Sequence, residues 1–174
     1  IVGVVLRNWA NHYCYPGDSK DVLSRYVGAA RLNESDMVVR VTADCPMIDP
    51  EICWQVISLR REKDVDYASN VHPRSFPQGL DCEVFTRRAL VHSYHKALSA
   101  REHVTTMLAG RSDPYTTANY WSARHVGSQC HRWTLDYPED LDFFRAVFAV
   151  RAPKSMADVL AILAEHPEIE EINA

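Results

Sequence analysis

The chain has 174 residues, the size of one domain, and its 47% apolar and 24% charged residues argue against disordered and fibrous classes. The net charge of −4 argues against a nucleic-acid partner, because phosphate binding needs a basic excess or a basic patch. No apolar run approaches the roughly 20 residues of a membrane span, and the first residues make a poor signal peptide, so we expect no membrane partner. Five cysteines, none in a CxxC pair, favour free thiols in the cytoplasm over disulfides or structural zinc.

Alternating strand and helix patterns, without a repeat or linker, predict one α/β domain over residues 1–174. In chain order, the predicted elements are a helix at 19–32 capped by Asp18 or Ser19, a strand at 37–42, a helix capped by Asp49, strands at 65–70 and 80–85, helices at 86–99 and 101–109, strands at 116–126 and 132–135, and helices at 138–148 and 155–164. Several strands are single buried runs, which favours a sandwich with a mostly parallel sheet. In such sheets, functional groups cluster at the carboxyl ends of the strands.

The first candidate for chemistry is Asp44, which follows the buried strand at 37–42. Cys45 precedes a proline and is therefore biased toward extended backbone, so the chain leaves the sheet without becoming helical at once. A carboxylate at this place is suited to a hard cation such as Mg²⁺. The alternative is a turn aspartate that hydrogen-bonds its own backbone.

The second candidate is Asp136, which ends the short strand at 132–135 just before a helix that begins near Pro138. The alternative is a helix cap, with Glu139 and Asp140 serving only the positive end of the helix dipole. Two strand-end aspartates in one sheet favour a shared cation, since such a cation can hold nucleotide phosphates during phosphoryl transfer. We therefore expect the carboxylates of Asp44 and Asp136 to lie close enough to hold one divalent ion.

The third candidate is the predicted strand at 80–85, in which Asp81 and Glu83 share one face and apolar residues occupy the other. Two neighbouring carboxylates repel each other unless they are solvated or bound to a partner such as sugar hydroxyls or an amine. The alternative is an edge strand with one solvated face. Gly79 predicts a close backbone approach at the start of this strand.

Six segments occur in an order that is typical of one family, at residues 21–26, 39–50, 66–70, 79–85, 101–105 and 133–141. Together they resemble the cytidylyltransferase-like family of spore-coat polysaccharide biosynthesis proteins, relatives of acylneuraminate and deoxy-octulosonate cytidylyltransferases. The likeness extends over about residues 15–150. It implies a nucleotide-diphospho-sugar transferase-like fold, which is a three-layer α/β sandwich.

The resemblance also implies a reaction, the Mg²⁺-dependent transfer of a cytidylyl group from CTP to a sugar or sugar acid in surface polysaccharide biosynthesis. In that reaction it implies catalytic and metal-binding roles for Asp44 and Asp136. The residues that it places at the substrate are Arg40, Gln78, Asp81, Glu83 and His103. A helix-capping role is the alternative for His103.

The sequence departs from this family at its start, where residues 1–7 are strand-like but carry no glycine-rich, basic loop. We therefore expect an N-terminally truncated fold and little or no pyrophosphate release by the chain on its own, because the nucleotide phosphates lose their main support. The alternative function is a catalytically silent sugar- or nucleotide-binding or assembly module. A missing first strand would leave an apolar sheet edge, so we also expect a homodimer.

Overall fold

A computed structural model describes residues 14–97, 101–110 and 114–173, and the predicted strand-like start at 1–7 lies outside them. The helices are α1 (Val22–Leu32), α2 (Pro50–Lys63), α3 (Arg87–Lys96), α4 (Thr106–Ala109), α5 (Pro138–Val150) and α6 (Met156–Glu165), with 3₁₀ turns at Ala123–His125, Ser128–Cys130 and Pro167–Asn173. The strands are β1 (Met37–Arg40), β2 (Tyr67–Ser69), β3 (Glu83–Thr86) and β4 (Thr117–Asn119). No helix of the described ranges is long and apolar enough to cross a membrane.

The chain separates into two compact units. The first unit comprises Ile1–Val38 with Thr86–Gly110, and the second comprises Val39–Phe85 with Arg111–Ala174. The single domain over residues 1–174 stays a prediction.

The four strands form one sheet in the order β1-β3-β2-β4, and the predicted α/β class is confirmed. The sheet is mixed rather than mostly parallel in its described pairings, since β2 runs antiparallel to β3 and parallel to β4. The connection from β2 to β3, residues 70–82, contains no crossover helix. A connection of this kind joins antiparallel neighbours, whereas parallel neighbours need a longer crossover.

Two of the predicted strands are shorter than expected because side chains take over the backbone groups of their ends. β3 begins at Glu83 rather than at Leu80, since the Asn70 amide donates to the Leu80 carbonyl at 2.7 Å and accepts from the Cys82 N–H at 2.9 Å. β4 ends at Asn119 rather than at 126, and beyond it the Ser122 N–H donates to the Ser75 hydroxyl at 3.0 Å. The chain then continues as 3₁₀ turns.

One of the two predicted helix caps is observed. Asp49 caps α2 by accepting from the Glu51 N–H at 2.8 Å, as predicted. The first helix is capped by Asp21 rather than by Asp18 or Ser19, so that prediction was wrong. The Asp21 carboxylate accepts from the Ser24 N–H, and Asp18 instead accepts from the N–H two residues ahead.

The helix predicted at 101–109 is reduced to the four residues of α4. The cause is the Arg101 carbonyl, which accepts from the Leu23 N–H at 2.9 Å and so is used outside a helix of its own. The Arg101 side chain likewise binds the Asp21 carboxylate at 3.0 Å and lies over the Tyr94 ring. These contacts belong to the first unit, in which α1 and α3 pack together.

The second unit is built on an apolar core beneath α5 and α6. Its members, all nine-tenths or more buried, are Met47, Ile52, Phe76, Leu80, Trp133, Phe143, Phe144, Val147, Met156, Val159, Ile162, Leu163 and Ile169. The loops that carry predicted site residues also supply three core side chains, Phe76, Leu80 and Trp133. Packing of these side chains in the core holds the loops in place. This unit holds every predicted site residue except His103.

Candidate functional site

The structure brings together the three segments that the sequence singled out. The segment 131–136 lies between the loop after β1 and the loop before β3: the Leu135 N–H donates to the Asp44 carbonyl at 2.8 Å, and the Trp133 N–H donates to the Gln78 carbonyl at 2.7 Å. The predicted strand at 132–135 is therefore no regular strand: its segment forms an isolated bridge with two backbone bonds to Gln78 and one backbone bond to Asp44. We call residues 42–46, 78–83 and 131–136 the strand-end region.

Gly79 makes the contact between two of these segments possible. Its φ is +105°, and a Cβ added there would lie 2.2 Å from the Trp133 carbonyl oxygen. That oxygen belongs to a buried backbone, which cannot move aside as a flexible side chain can. The predicted close backbone approach is confirmed, and only glycine fits it.

Asp44 lies at the edge of this region with a half-buried carboxylate. Among the described residues, its hydrogen-bonding contact is the Cys45 thiol at a long 3.7 Å, and no backbone N–H donates to it, unlike the turn aspartate of the alternative interpretation. Burial, together with the carboxylates of Asp44 and Asp81, raises the pKa of the Cys45 thiol to about 11. The thiol is therefore neutral at pH 7, and Asp44 faces no cationic side chain among its described contacts.

Asp136 is the neighbour of Leu135, and its carboxylate is 44% exposed. One of its oxygens lies 3.2 Å from Nη2 of Arg132. It does not cap α5, which begins at Pro138 with Tyr137 as the N-cap residue. The capping alternative therefore does not describe Asp136.

The capping function belongs to Asp140, which is fully buried. Its Oδ2 accepts from the N–H groups of Asp136 and Tyr137 at 2.8 Å each, and both of its oxygens bind the Arg132 guanidinium. Burial alone would raise the pKa of Asp140, but the hydrogen bonds from Arg132 and from the two N–H groups hold it below its usual range. A fifth bond comes from Nδ2 of Asn173 at 3.1 Å.

Asp81, just before β3, and Glu83, at the start of β3, each form an ion pair with a different arginine. Asp81 forms a two-pronged ion pair with Arg74, at 2.5 and 2.9 Å. Glu83 is buried, binds Arg40, and accepts from the Tyr67 hydroxyl at 2.6 Å. Neighbouring negative charges are thus neutralised within the protein, without the solvent or ligand that the sequence led us to expect.

The remaining predicted substrate residues are exposed. The backbone N–H and carbonyl of Gln78 form hydrogen bonds to the 131–135 segment, and its side chain is exposed to solvent. His103 belongs to the first unit, where its carbonyl, rather than its ring, accepts from the Thr106 hydroxyl at 3.2 Å. The substrate roles of Arg40, Gln78, Asp81, Glu83 and His103 stay predictions.

The donor chemistry fits a hard divalent cation. Within residues 14–97, 101–110 and 114–173, no three His, Cys, Asp or Glu side chains form a ready metal cluster. Mg²⁺, however, is commonly held by one or two carboxylates together with substrate phosphates and water. Asp44 and Asp136 supply two such carboxylates from adjacent backbone segments, and both retain oxygen atoms without a strong partner among the described residues.

Sequence reasoning did not find the residues that hold the carboxylates in place. Tyr67 and Arg74 are distant from their partners along the chain, and no local pattern connects them to Glu83 or Asp81. The position of Asp140, three residues after the cap of α5, was a signal for capping but not for its ion pair.

Comparison with known proteins places this geometry in a known fold. The chain superimposes on a cytidylyltransferase from Leptospira borgpetersenii serovar Hardjo-bovis with a TM-score of 0.86 and 24% identity, over 97% of this chain and 71% of that one. The predicted nucleotide-diphospho-sugar transferase-like α/β fold is thereby confirmed. No family model matches the chain.

Two relatives are similar in sequence. An uncharacterized protein from Methanocaldococcus jannaschii is 25% identical over 167 residues, covering 92% of this chain and 66% of its own length. The spore coat polysaccharide biosynthesis protein SpsF of Bacillus subtilis is 24% identical over 160 residues, covering 88% of this chain and 65% of its own length. The resemblance drawn from the six segments is supported by these similarities, and the chain spans about two thirds of the length of both relatives.

Proposed function

We propose that the protein transfers a cytidylyl group from CTP to a sugar or sugar acid in the biosynthesis of a surface polysaccharide. In this reaction an acceptor oxygen attacks the α-phosphorus of CTP, the bond to the β-phosphate oxygen breaks, and pyrophosphate leaves. The likeness in fold to a cytidylyltransferase and in sequence to SpsF supports the proposal. A cytoplasmic location follows from the same proposal, because nucleoside triphosphates and activated sugars are intracellular compounds.

One observation carries the proposal: the 2.8 Å bond from the Leu135 N–H to the Asp44 carbonyl, which brings the segment of Asp136 beside the backbone of Asp44. Asp44 and Asp136 would hold Mg²⁺, with CTP phosphates and water completing its ligands. When bound, Mg²⁺ would neutralise charge on the phosphates and on the departing pyrophosphate. The two carboxylates would fix its place relative to the acceptor oxygen.

The substrate side of the proposal uses the arginine-paired carboxylates. Arg40 is held by buried Glu83, and Asp81 is held by Arg74, so each pair is fixed before a ligand arrives. Fixed donors and acceptors are suited to sugar hydroxyl groups, since a preorganised hydrogen-bonding group loses little entropy on binding. Gln78 completes the proposed contacts of this unit, and the substrate role of His103, which belongs to the first unit, stays a separate prediction.

The test measures pyrophosphate release by the purified protein with CTP, Mg²⁺ and a panel of sugars and sugar acids. We expect slow release by the wild type, because the start of the sequence carries no glycine-rich, basic loop for the nucleotide phosphates. Release should fall by at least about 100-fold in Asp44→Asn and Asp136→Asn and stay unchanged in Asp142→Asn. Asp142 is a matched control, because it is an exposed aspartate of α5 paired only with exposed Arg145. Release that survives in Asp44→Asn would contradict the assignment.

A second function, a catalytically silent binding or assembly module, is favoured by one observation. The Asp136 carboxylate already has a cationic partner, Arg132, which competes with a metal ion. CTP binding by the wild type without pyrophosphate release for any acceptor would favour this module.

The proposed homodimer is supported by Val39 and Val41, which are 40% and 45% exposed, and its test is the mass of the protein in solution.

A further inference from the structure

Arg132 lies between two carboxylates and is shared unequally by them. Its Nη2 is 2.8 Å from Oδ2 of Asp140 and 3.2 Å from Oδ2 of Asp136. Its Nη1 binds the other oxygen of Asp140, so the guanidinium forms a two-pronged pair with Asp140 and a single longer contact with Asp136. A two-pronged pair is both stronger and more directional than a single contact.

Asp140 also holds the backbone that carries Asp136. The N–H groups of Asp136 and Tyr137 both donate to Oδ2 of Asp140 at 2.8 Å. Asp140 is fully buried, and Nδ2 of Asn173 donates to its other oxygen at 3.1 Å. The orientation of the Asp136 loop therefore depends on a single carboxylate four residues further along the chain.

We propose that Asp140 is a positioning residue for Asp136, which fixes the loop before α5 and limits Arg132 to a single, longer contact with the Asp136 carboxylate. The inference rests on the proposed function, because that function assigns Asp136 to a divalent cation. Without Asp140, Arg132 would lose its main partner and would pair with Asp136 instead. The guanidinium has room to move, because it borders a cavity of about 380 Å³.

The chain contains a control for the capping part of this role. Asp158 occupies the corresponding third position of α6 and accepts from the Lys154 N–H at 2.9 Å. Both aspartates therefore cap a helix, but only Asp140 connects an arginine with a predicted cation ligand. Asp158→Asn removes the charge of a helix cap and leaves the Asp136 loop unchanged.

The experiment measures Mn²⁺ binding by electron paramagnetic resonance, with and without CTP, after circular dichroism has verified folding. We expect Asp140→Asn to weaken Mn²⁺ binding by about tenfold or more, as removal of a residue that orients a metal ligand does. Asp158→Asn should stay within about twofold of the wild type. In the double variant Asp140→Asn with Arg132→Gln, the competing cation is gone, and affinity should recover by at least about threefold over the single variant.

Each result decides between positioning and a merely structural role. Wild-type affinity in Asp140→Asn, or equal weakness of the single and double variants, would overturn the inference. If Asp140→Asn does not fold, Arg132→Lys is the second variant, since lysine keeps the charge without the two-pronged geometry and should also weaken Mn²⁺ binding; unchanged binding would overturn the inference. If the wild type binds no Mn²⁺ with or without CTP, the proposed function fails, and the inference fails with it.

Discussion

The strand-end region and the two C-terminal helices of the second unit are held in different ways. Helices α5 and α6 rest on the apolar core and on local caps, such as Ser155, whose hydroxyl accepts from the Asp158 N–H at 3.2 Å. The strand-end region rests on backbone bonds and ion pairs between segments far apart in the chain, such as Leu135 with Asp44. A substitution of the same kind should therefore lower the stability more in the strand-end region, where segments far apart in the chain depend on one residue.

The largest expected difference is between two glycines with the same backbone conformation. Gly79 and Gly127 have φ values of +105° and +106°, but an added Cβ meets the Trp133 backbone only at Gly79 and open space at Gly127. We expect Gly127→Ala to lower the free energy of unfolding by about 1 kcal/mol, the cost of the left-handed backbone. We expect Gly79→Ala to lower it by about 3 kcal/mol or more, since a collision is added. Urea unfolding measures both, and equal losses would contradict the close approach.

The next difference is between the capping aspartates of α5 and α6. Asp140→Asn breaks a buried carboxylate's pair with Arg132 and should lower the free energy of unfolding by about 2–3 kcal/mol. Asp158→Asn removes only an exposed cap bond and should cost less. Thermal unfolding of the two variants measures the difference, and a larger loss in Asp158→Asn would show that the buried pair does not stabilise its loop.

The buried Tyr67–Glu83 pair predicts a pH dependence of stability. Burial and the Glu83 charge raise the pKa of Tyr67 above its usual range, so the folded protein keeps the proton that the unfolded chain releases above pH of about 10. The protonated Tyr67 hydroxyl therefore stabilises the folded state fully below a pH of about 10, and this stabilisation is lost as the pH rises further. Tyr67→Phe should be less stable than the wild type by about 1 kcal/mol at pH 7. The gap should narrow above pH of about 10 in urea titrations; a gap that widens would contradict the raised pKa.

The smallest expected effect on stability is that of Asp44→Asn. Its carboxylate has one long contact, to the Cys45 thiol, so we expect a change within about 0.5 kcal/mol, as for the exposed control Asp142→Asn. A metal ligand without its metal contributes little to folding. A loss above about 2 kcal/mol in Asp44→Asn would identify a structural residue instead.

Local signals predicted the helices well. Asp49 and Pro50 at the start of α2, and Ser155 before α6, carry their capping information within one turn of chain, so the sequence was sufficient. The four-residue α4 was not predictable, because the Arg101 carbonyl is taken by Leu23, about 80 positions earlier. Predictions failed where tertiary contacts replace local ones.

The candidate site was predictable in part for the same reason. The rule that strand ends meet at one edge of a sheet predicted that the segments of Asp44 and Asp136 lie side by side, as the backbone bond from Leu135 to Asp44 shows. The shared cation of the two carboxylates stays a prediction. The partners Arg74, Arg132 and Tyr67 could not be assigned, because none of their contacts lies within one helix or strand, so no periodicity relates the two residues of a pair.

The most direct test of the shared cation site is paramagnetic broadening of amide signals by Mn²⁺ with CTP in nuclear magnetic resonance spectra. The account predicts that the amides of residues 43–45 and 135–137 broaden together at substoichiometric Mn²⁺, while those of the Asp158 cap remain sharp. It also predicts that Asp44→Asn abolishes both effects. Broadening of only one of the two segments, or broadening of both that persists in Asp44→Asn, would contradict a cation held between Asp44 and Asp136.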